Sequence, residues 1–133
     1  MKKYTLLLIL IGAMVLISCE KDPVDPSIDD RDKIVGSWSV SDQTLAKANY
    51  VVKISKDSEN SRKIWISNFH GLLDNAFAYL SGNSIELPQQ NVAEFVVMGD
   101  GNVQNTQQLK WQYWVSDGAQ QDTIIATYQK SGK

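Results

Sequence analysis

Leu109, Trp111, Tyr113 and Val115 alternate with Lys110, Gln112, Trp114 and Ser116, and this period-two order narrows the folds open to the chain more than any other feature. Successive side chains of an extended segment point to opposite faces, so the first set forms one apolar face and the second a mostly polar one. Tyr50, Val52 and Ile54 repeat the order against Val51, Lys53 and Ser55. Ile64 and Ile66 do so around Trp65, and Ile124, Ala126 and Tyr128 against Ile125, Thr127 and Gln129. Between these runs stand turn-forming clusters at Asp57 to Ser61, Ser81-Gly82-Asn83, Gly99-Asp100-Gly101-Asn102 and Ser116-Asp117-Gly118, where Asp-Gly supplies the positive φ of tight hairpins.

The pattern predicts about eight strands, near 36–42, 48–56, 63–69, 76–81, 84–88, 92–99, 102–116 with a bend, and 121–130. Short connections make consecutive strands antiparallel neighbours. A meander of this many strands in one small domain, residues 31–133, hides its edges most simply by closing into an up-and-down β-barrel, with a small two-sheet sandwich as the competing all-β arrangement.

Ahead of the domain lies an export signal. Met1, Lys2 and Lys3 form a positive start, and 4–17 is an almost unbroken apolar run, short for a transmembrane helix and suited to a signal peptide. The run ends on Leu16-Ile17-Ser18-Cys19, which resembles the lipobox of bacterial lipoproteins. The resemblance implies a signal at 1–18, cleavage before Cys19, a diacylglycerol thioether on its sulfur and an acylated amino terminus carrying palmitate-type chains in the membrane. Cys19 is the sole cysteine, so the mature domain is expected to contain neither an internal disulfide nor a zinc-cysteine site. Residues 19–30 read as an acidic, proline-punctuated tether. That segment resembles the acidic stretches after the cysteine in surface-exported lipoproteins of Bacteroidota-type bacteria, which implies an outer-membrane address on its periplasmic or exposed face. Loss of Lys2 and Lys3 moves the formal charge from −2 to −4, and with no basic cluster visible nucleic acid is not an expected partner.

Asp32-Lys33-Ile34-Val35 leading into Gly36-Ser37-Trp38 resembles the Gly-x-Trp opening of lipocalin-like, calycin-type barrels. That family implies a short helical turn closing the barrel floor, a Trp packed beneath the core and a basic residue from the last strand over its indole, here Lys130. Ile66-Ser67-Asn68-Phe69-His70-Gly71-Leu72 with Gly82-Asn83-Ser84-Ile85-Glu86-Leu87-Pro88 is similar to small lipocalin-like lipoproteins of the same bacteria, which implies fold and location only.

Catalytic arrangements are sparse. His70 is the only histidine, which rules out a two-histidine metal site, and no Gly-x-Ser-x-Gly elbow is present. His70 and Asp74 could form an acid-base pair, or His70 could simply hydrogen-bond in a loop beside Gly71. Asp100 and Asn102 around Gly101 suit a tight turn better than calcium, which wants six to eight oxygen ligands. No cofactor, metal or catalytic role is expected. Trp38, Tyr50, Trp111, Tyr113 and Tyr128 fall on inward faces, where aromatics either line a ligand cavity or fill a core. Trp65 and Trp114 interrupt outward faces and are the candidates for a partner patch. The reading is a membrane-anchored lipoprotein whose barrel binds a small apolar ligand. Its alternative is a filled barrel serving as the accessory module of a cell-surface protein complex, or binding glycan.

Overall fold

The computed structural model describes residues 28–43 and 49–132. Among them eight strands close into one antiparallel barrel in sequence order: β1 (Gly36–Asp42), β2 (Tyr50–Lys56), β3 (Lys63–Ser67), β4 (Ala76–Ser81), β5 (Ser84–Val92), β6 (Phe95–Asn105), β7 (Gln108–Ser116) and β8 (Gln121–Lys130). The ring closes where β1 meets β8, with Trp38 opposite Lys130 and Asp42 opposite Ala126. A closed barrel has no free strand edge, and every pairing uses residues between Gly36 and Lys130, so the barrel is complete without the segment before Ile28. Cys19, the signal and most of the tether lie outside the described residues. Asp29 and Asp30, read from sequence as the end of the tether, belong to the folded part: Asp29 caps a 3₁₀ turn at Asp30–Lys33.

The sandwich alternative is excluded by this ring, and the alternation that predicted it holds residue by residue. Val52 and Ile54, Ile64 and Ile66, Ala76, Ala78 and Leu80, Ile85 and Leu87, then Leu109, Trp111, Tyr113 and Val115 are all buried. Burial of such side chains contributes about 1.5 to 3 kcal/mol each, and it fixes the register because a one-residue slip would turn a whole strand inside out.

Boundaries shift from expectation at several strands, β3 for instance ending at Ser67 rather than 69, and two of the shifts are large. Pro88 suggests an end to β5, yet the strand continues to Val92 through a break in register between Leu87 and Gln90, the kind of irregularity that tolerates a proline. Gln90 then repairs the neighbouring ladder: its side-chain amide accepts from Phe77 N–H and donates to Phe77 C=O, both at 2.8 Å. The expected turn at Gly99-Asp100-Gly101-Asn102 is instead the middle of β6, and the hairpin reverses after Asn105. The reason lies across the ladder. Gly99 stands opposite Tyr113 and Gly101 opposite Trp111. A Cβ on Gly99 would come within 2.4 Å of the Tyr113 backbone, and one on Gly101 within 2.8 Å of the Trp111 ring. These glycines mark a strand that curves tightly around large inward aromatics.

Candidate functional site

Up-and-down strands give the barrel two ends. At the floor, Ile34 and Trp38 are fully buried, and Trp38 Nε1 donates to Ile34 C=O at 2.8 Å. Lys130 Nζ sits 4.8 Å from the centre of the Trp38 ring and donates to Val35 C=O at 2.8 Å, in the position the Gly-x-Trp resemblance implies. Arg31 clamps this end. Its guanidinium donates to the carbonyls of Asp57, Asn60 and Lys63, at 3.1, 2.9 and 3.0 Å, and meets Asp29 at 2.7 Å. The Arg31 bonds hold the Asp29 carboxyl well below the usual carboxylate range, and Lys56 adds to the effect. Lys56 also contacts Asp32. Trp38 is therefore a floor residue whose polar atom is already committed.

The other four inward aromatics converge towards the opposite end. Trp111 and Tyr128 have ring centres 5.4 Å apart. Over them the chain between β3 and β4 inserts a second 3₁₀ turn (Phe69–Gly71), which acts as a plug. Phe69, completely buried, packs 4.9 Å from Tyr113 and 6.4 Å from Trp111. The plug is strained: Asn68, His70 and Leu73 all have positive φ, at 55°, 54° and 58°. Non-glycine residues in that region cost about 1 to 3 kcal/mol each unless local bonds offset it. Asn68 supplies some, donating from its amide to Val51 C=O and accepting from Leu73 N–H.

Behind the plug lies a polar cluster. The Tyr113 hydroxyl and His70 Nδ1 share a 2.8 Å hydrogen bond, and the same nitrogen is 3.7 Å from Asp42 Oδ2, whose side chain is only 3 % exposed. Of the two arrangements the sequence leaves open for His70, the pair with Asp74 does not form, and His70 hydrogen-bonds from the turn. Asp74 instead accepts from the backbone N–H groups of Asn75 and Ala93, which lower its pKa. Tyr50 reaches into the same cluster, its hydroxyl beside that of Tyr113 at a geometry short of a hydrogen bond. Burial, with the Asp42 charge adding to it, pushes the Tyr50 phenol up to about 12, and burial, followed by the neighbouring phenols and then Asp42, raises Tyr113 and Tyr128 further. All three hydroxyls stay protonated across the physiological range.

Three polar atoms of this region are buried without a hydrogen-bond partner: Trp111 Nε1, Tyr128 OH and Tyr50 OH. Leaving such a group unpaired costs about 1 to 3 kcal/mol, so native proteins rarely collect several in one place.

Asp42 and Phe69 are the residues the sequence reading passed over. Asp42 could have been found, because it continues the inward phase of Trp38 and Val40 on β1, where a carboxylate is out of character. Nothing in the local pattern marks Phe69 as a plug, since its place depends on the strained turn around it.

The outward candidates separate. Trp65 lies on β3 and Trp114 on β7, four strands apart around an eight-stranded ring, so the two stand on opposite walls and form no common patch. Trp65 instead joins Phe77 and Tyr79 of β4. Trp65 and Phe77 meet edge to face at 5.9 Å, as do Phe77 and Tyr79, and Lys63 Nζ lies over both Trp65 and Phe77. Asp57 accepts from Trp65 Nε1 at 2.8 Å. Asp100 and Asn102 point outward from the middle of a strand and form no turn.

No known protein family and no curated protein matches this chain in sequence. Among solved structures, a redesigned β-barrel matches with a TM-score of 0.58 at 11 % identity, over 80 % of this chain and 98 % of its own. The structure of EF1p2_mFAP2b bound to DFHBI matches with a TM-score of 0.59 at 12 % identity, over 77 % and 98 % of the respective chains. At such identities the likeness is one of fold.

Proposed function

We propose that this chain is a non-catalytic lipoprotein, anchored through acylated Cys19 at the outer membrane, whose lipocalin-like barrel binds a small, largely apolar molecule through its plugged end. The observation that carries the reading is the set of unpartnered polar atoms, Trp111 Nε1, Tyr128 OH and Tyr50 OH, among the aromatic walls of one barrel end. Ligand sites are mostly apolar with a few placed polar groups, and this end has that composition. Phe69 and its strained turn fill the place a ligand would take, so binding would exchange an internal aromatic for an external one. EF1p2_mFAP2b, a structure of similar fold, holds the small molecule DFHBI, which makes DFHBI a ready probe.

A second reading keeps a specific observation of its own. The Lys63, Trp65, Phe77 and Tyr79 strip is a half-buried aromatic surface on one outer wall, suited to an accessory module that docks a protein or glycan.

Native mass spectrometry of the chain expressed in its host separates the two. The binding reading expects a reproducible small-molecule adduct that Trp111→Phe removes, and a fluorescence change on titration with DFHBI. A bare mass together with an inert DFHBI titration would refute it in favour of the outer strip. Membrane attachment is checked independently, since Cys19→Ser should abolish incorporation of a labelled fatty acid.

A further inference from the structure

One seam of the ring is closed in part by side chains. β4 and β5 pair through Ser81 and Ser84, Leu80 and Ile85, and Tyr79 and Glu86, and there their register stops. Continued for two more residues, it would set Pro88 opposite Phe77. Proline has no N–H to give to the Phe77 carbonyl. Gln90 takes the place of the missing partner: its Oε1 accepts from Phe77 N–H and its Nε2 donates to Phe77 C=O, both at 2.8 Å, and Nε2 also donates to Pro88 C=O at 2.9 Å. Nearer the plug, the Asp74 carboxylate accepts from Ala93 N–H at 2.7 Å. Two side chains thus hold the plug-end half of this seam. The plug is tied to the same stretch, because Phe69 N–H donates to Asp74 C=O at 2.9 Å. Inside, β4 contributes only the methyl groups of Ala76 and Ala78 at this height. Outside, Trp65, Phe77 and Tyr79 line the same wall.

Resting on the reading that the interior takes a small molecule, we infer that the molecule enters sideways, through the wall between β4 and β5, with Gln90 as the latch. The apolar strip on the outer wall receives it, the Gln90 amide lets go of Phe77, and the segment from Asn68 to Asp74 moves aside with Phe69. Opening here requires the rotation of a side chain, whereas parting any other seam breaks a run of backbone hydrogen bonds. The positive φ at Asn68, His70 and Leu73 favours the movement, since strain is released with it. The floor offers no such route, because Arg31 and Lys130 bond the carbonyls that close it.

The test joins amide hydrogen exchange to binding kinetics in the barrel from Ile28 onward, which contains every strand pairing of the closed ring. Gln90→Met keeps the length of the side chain and removes both bonds to Phe77. In the unsubstituted barrel, the Phe77 and Phe69 amides are expected to exchange through one shared opening, faster than Leu80 N–H, which bonds Arg62 C=O on the other edge of β4 and waits for global unfolding. Gln90→Met should speed Phe69 and Phe77 alike by about tenfold, the effect of two net hydrogen bonds, although Gln90 does not touch Phe69. Exchange at Phe69 that stays unchanged in the variant, or that is as slow as at Leu80 in the unsubstituted barrel, overturns the coupled opening and the portal. For DFHBI, association and release should both quicken about tenfold in the variant at nearly constant affinity, because the latch is closed before and after entry. Faster release at an unchanged association rate marks Gln90 as a structural prop, and two unchanged rates put the entrance elsewhere; either result overturns the portal and leaves interior binding standing. Failure of DFHBI to bind either barrel removes the reading beneath and the portal with it.

Discussion

The two ends of the barrel solve the same problem, closing a ring of strands, with opposite chemistry. At the floor the buried polar side chains that close it are all partnered among the described residues: Trp38 donates to Ile34, Lys130 lies over the indole and bonds Val35, and Arg31 satisfies three turn carbonyls and Asp29. At the plug, three polar atoms are buried without partners under a turn with repeated positive φ. One end is built for permanence. The other holds local free energy in reserve, as sites that must open or bind tend to do. The difference teaches that burial alone does not separate a core aromatic from a ligand-facing one. Trp38 and Trp111 are equally buried, and what distinguishes them is whether the indole N–H is spoken for.

The largest effect is expected where that comparison is broken at the floor. Trp38→Ala removes a fully buried indole, its bond to Ile34 and the ring beneath Lys130, for a loss of about 3 to 5 kcal/mol in chemical denaturation. A loss near 1 kcal/mol would mean that the floor is not the stable end. Next comes the wall behind the plug. Gly99→Ala places a methyl against the backbone of Tyr113 and Gln112, atoms that no rotamer change can move, so a loss of about 1 to 3 kcal/mol is expected. Gly101→Ala meets only the Trp111 ring and should cost less, with the indole fluorescence shifting as the ring moves. Tyr128→Phe has the opposite sign. Deleting an unpaired buried hydroxyl should leave stability unchanged or raise it by up to about 1 kcal/mol, whereas a clear loss would mean that the hydroxyl has a partner after all.

The floor was legible in the sequence and the plug was not, for physical reasons that differ by residue. Trp38 and Lys130 are fixed by strand phase and by being opposite one another at the closing seam, and both follow once a barrel is inferred. The inward phases of Tyr50, Trp111, Tyr113 and Tyr128 were readable in the same way, because period two is local information. Phe69 owes its position to backbone angles that side chains of Asn68, His70 and Leu73 do not advertise. His70 sought its acid in sequence, at Asp74, while the acid it approaches is Asp42 on another strand. Gly99 and Gly101 looked like a turn because glycine permits one. Their actual role depends on what stands across the ladder, which no window along the chain contains. Trp65 and Trp114 were grouped by type, and only ring topology places them on opposite walls.

The last contrast concerns pH. At the floor, the Asp29 carboxyl is held low by Arg31, so its folded pKa lies below the unfolded value near 4. Its contribution is therefore present above about pH 4 and is lost as the pH falls through the depressed value. At the plug, Tyr50 is raised to about 12 and Tyr113 and Tyr128 further, all above their unfolded value near 10. There the unfolded chain releases protons first, so stability falls as pH rises above 10. Asp74 and Asp117, lowered by backbone N–H groups, add to the acid limb, and Lys56, raised by Asp32 and Asp29, adds to the alkaline one. Single substitutions separate these contributions. Asp29→Asn should chiefly flatten denaturation midpoints below pH 4, with a smaller change above pH 10 through the loss of its contact with Lys56, whereas Tyr50→Phe should change only those above pH 10. In the barrel from Ile28 onward carrying Tyr79→Phe, which leaves only Tyr50, Tyr113 and Tyr128, tyrosinate absorbance followed through the alkaline transition should then rise together with unfolding rather than ahead of it, because the buried phenols ionise only as the plug end opens. Absorbance that rises well before the structure is lost would place these hydroxyls in water, and the two ends of the barrel would no longer differ in the way their hydrogen bonds suggest.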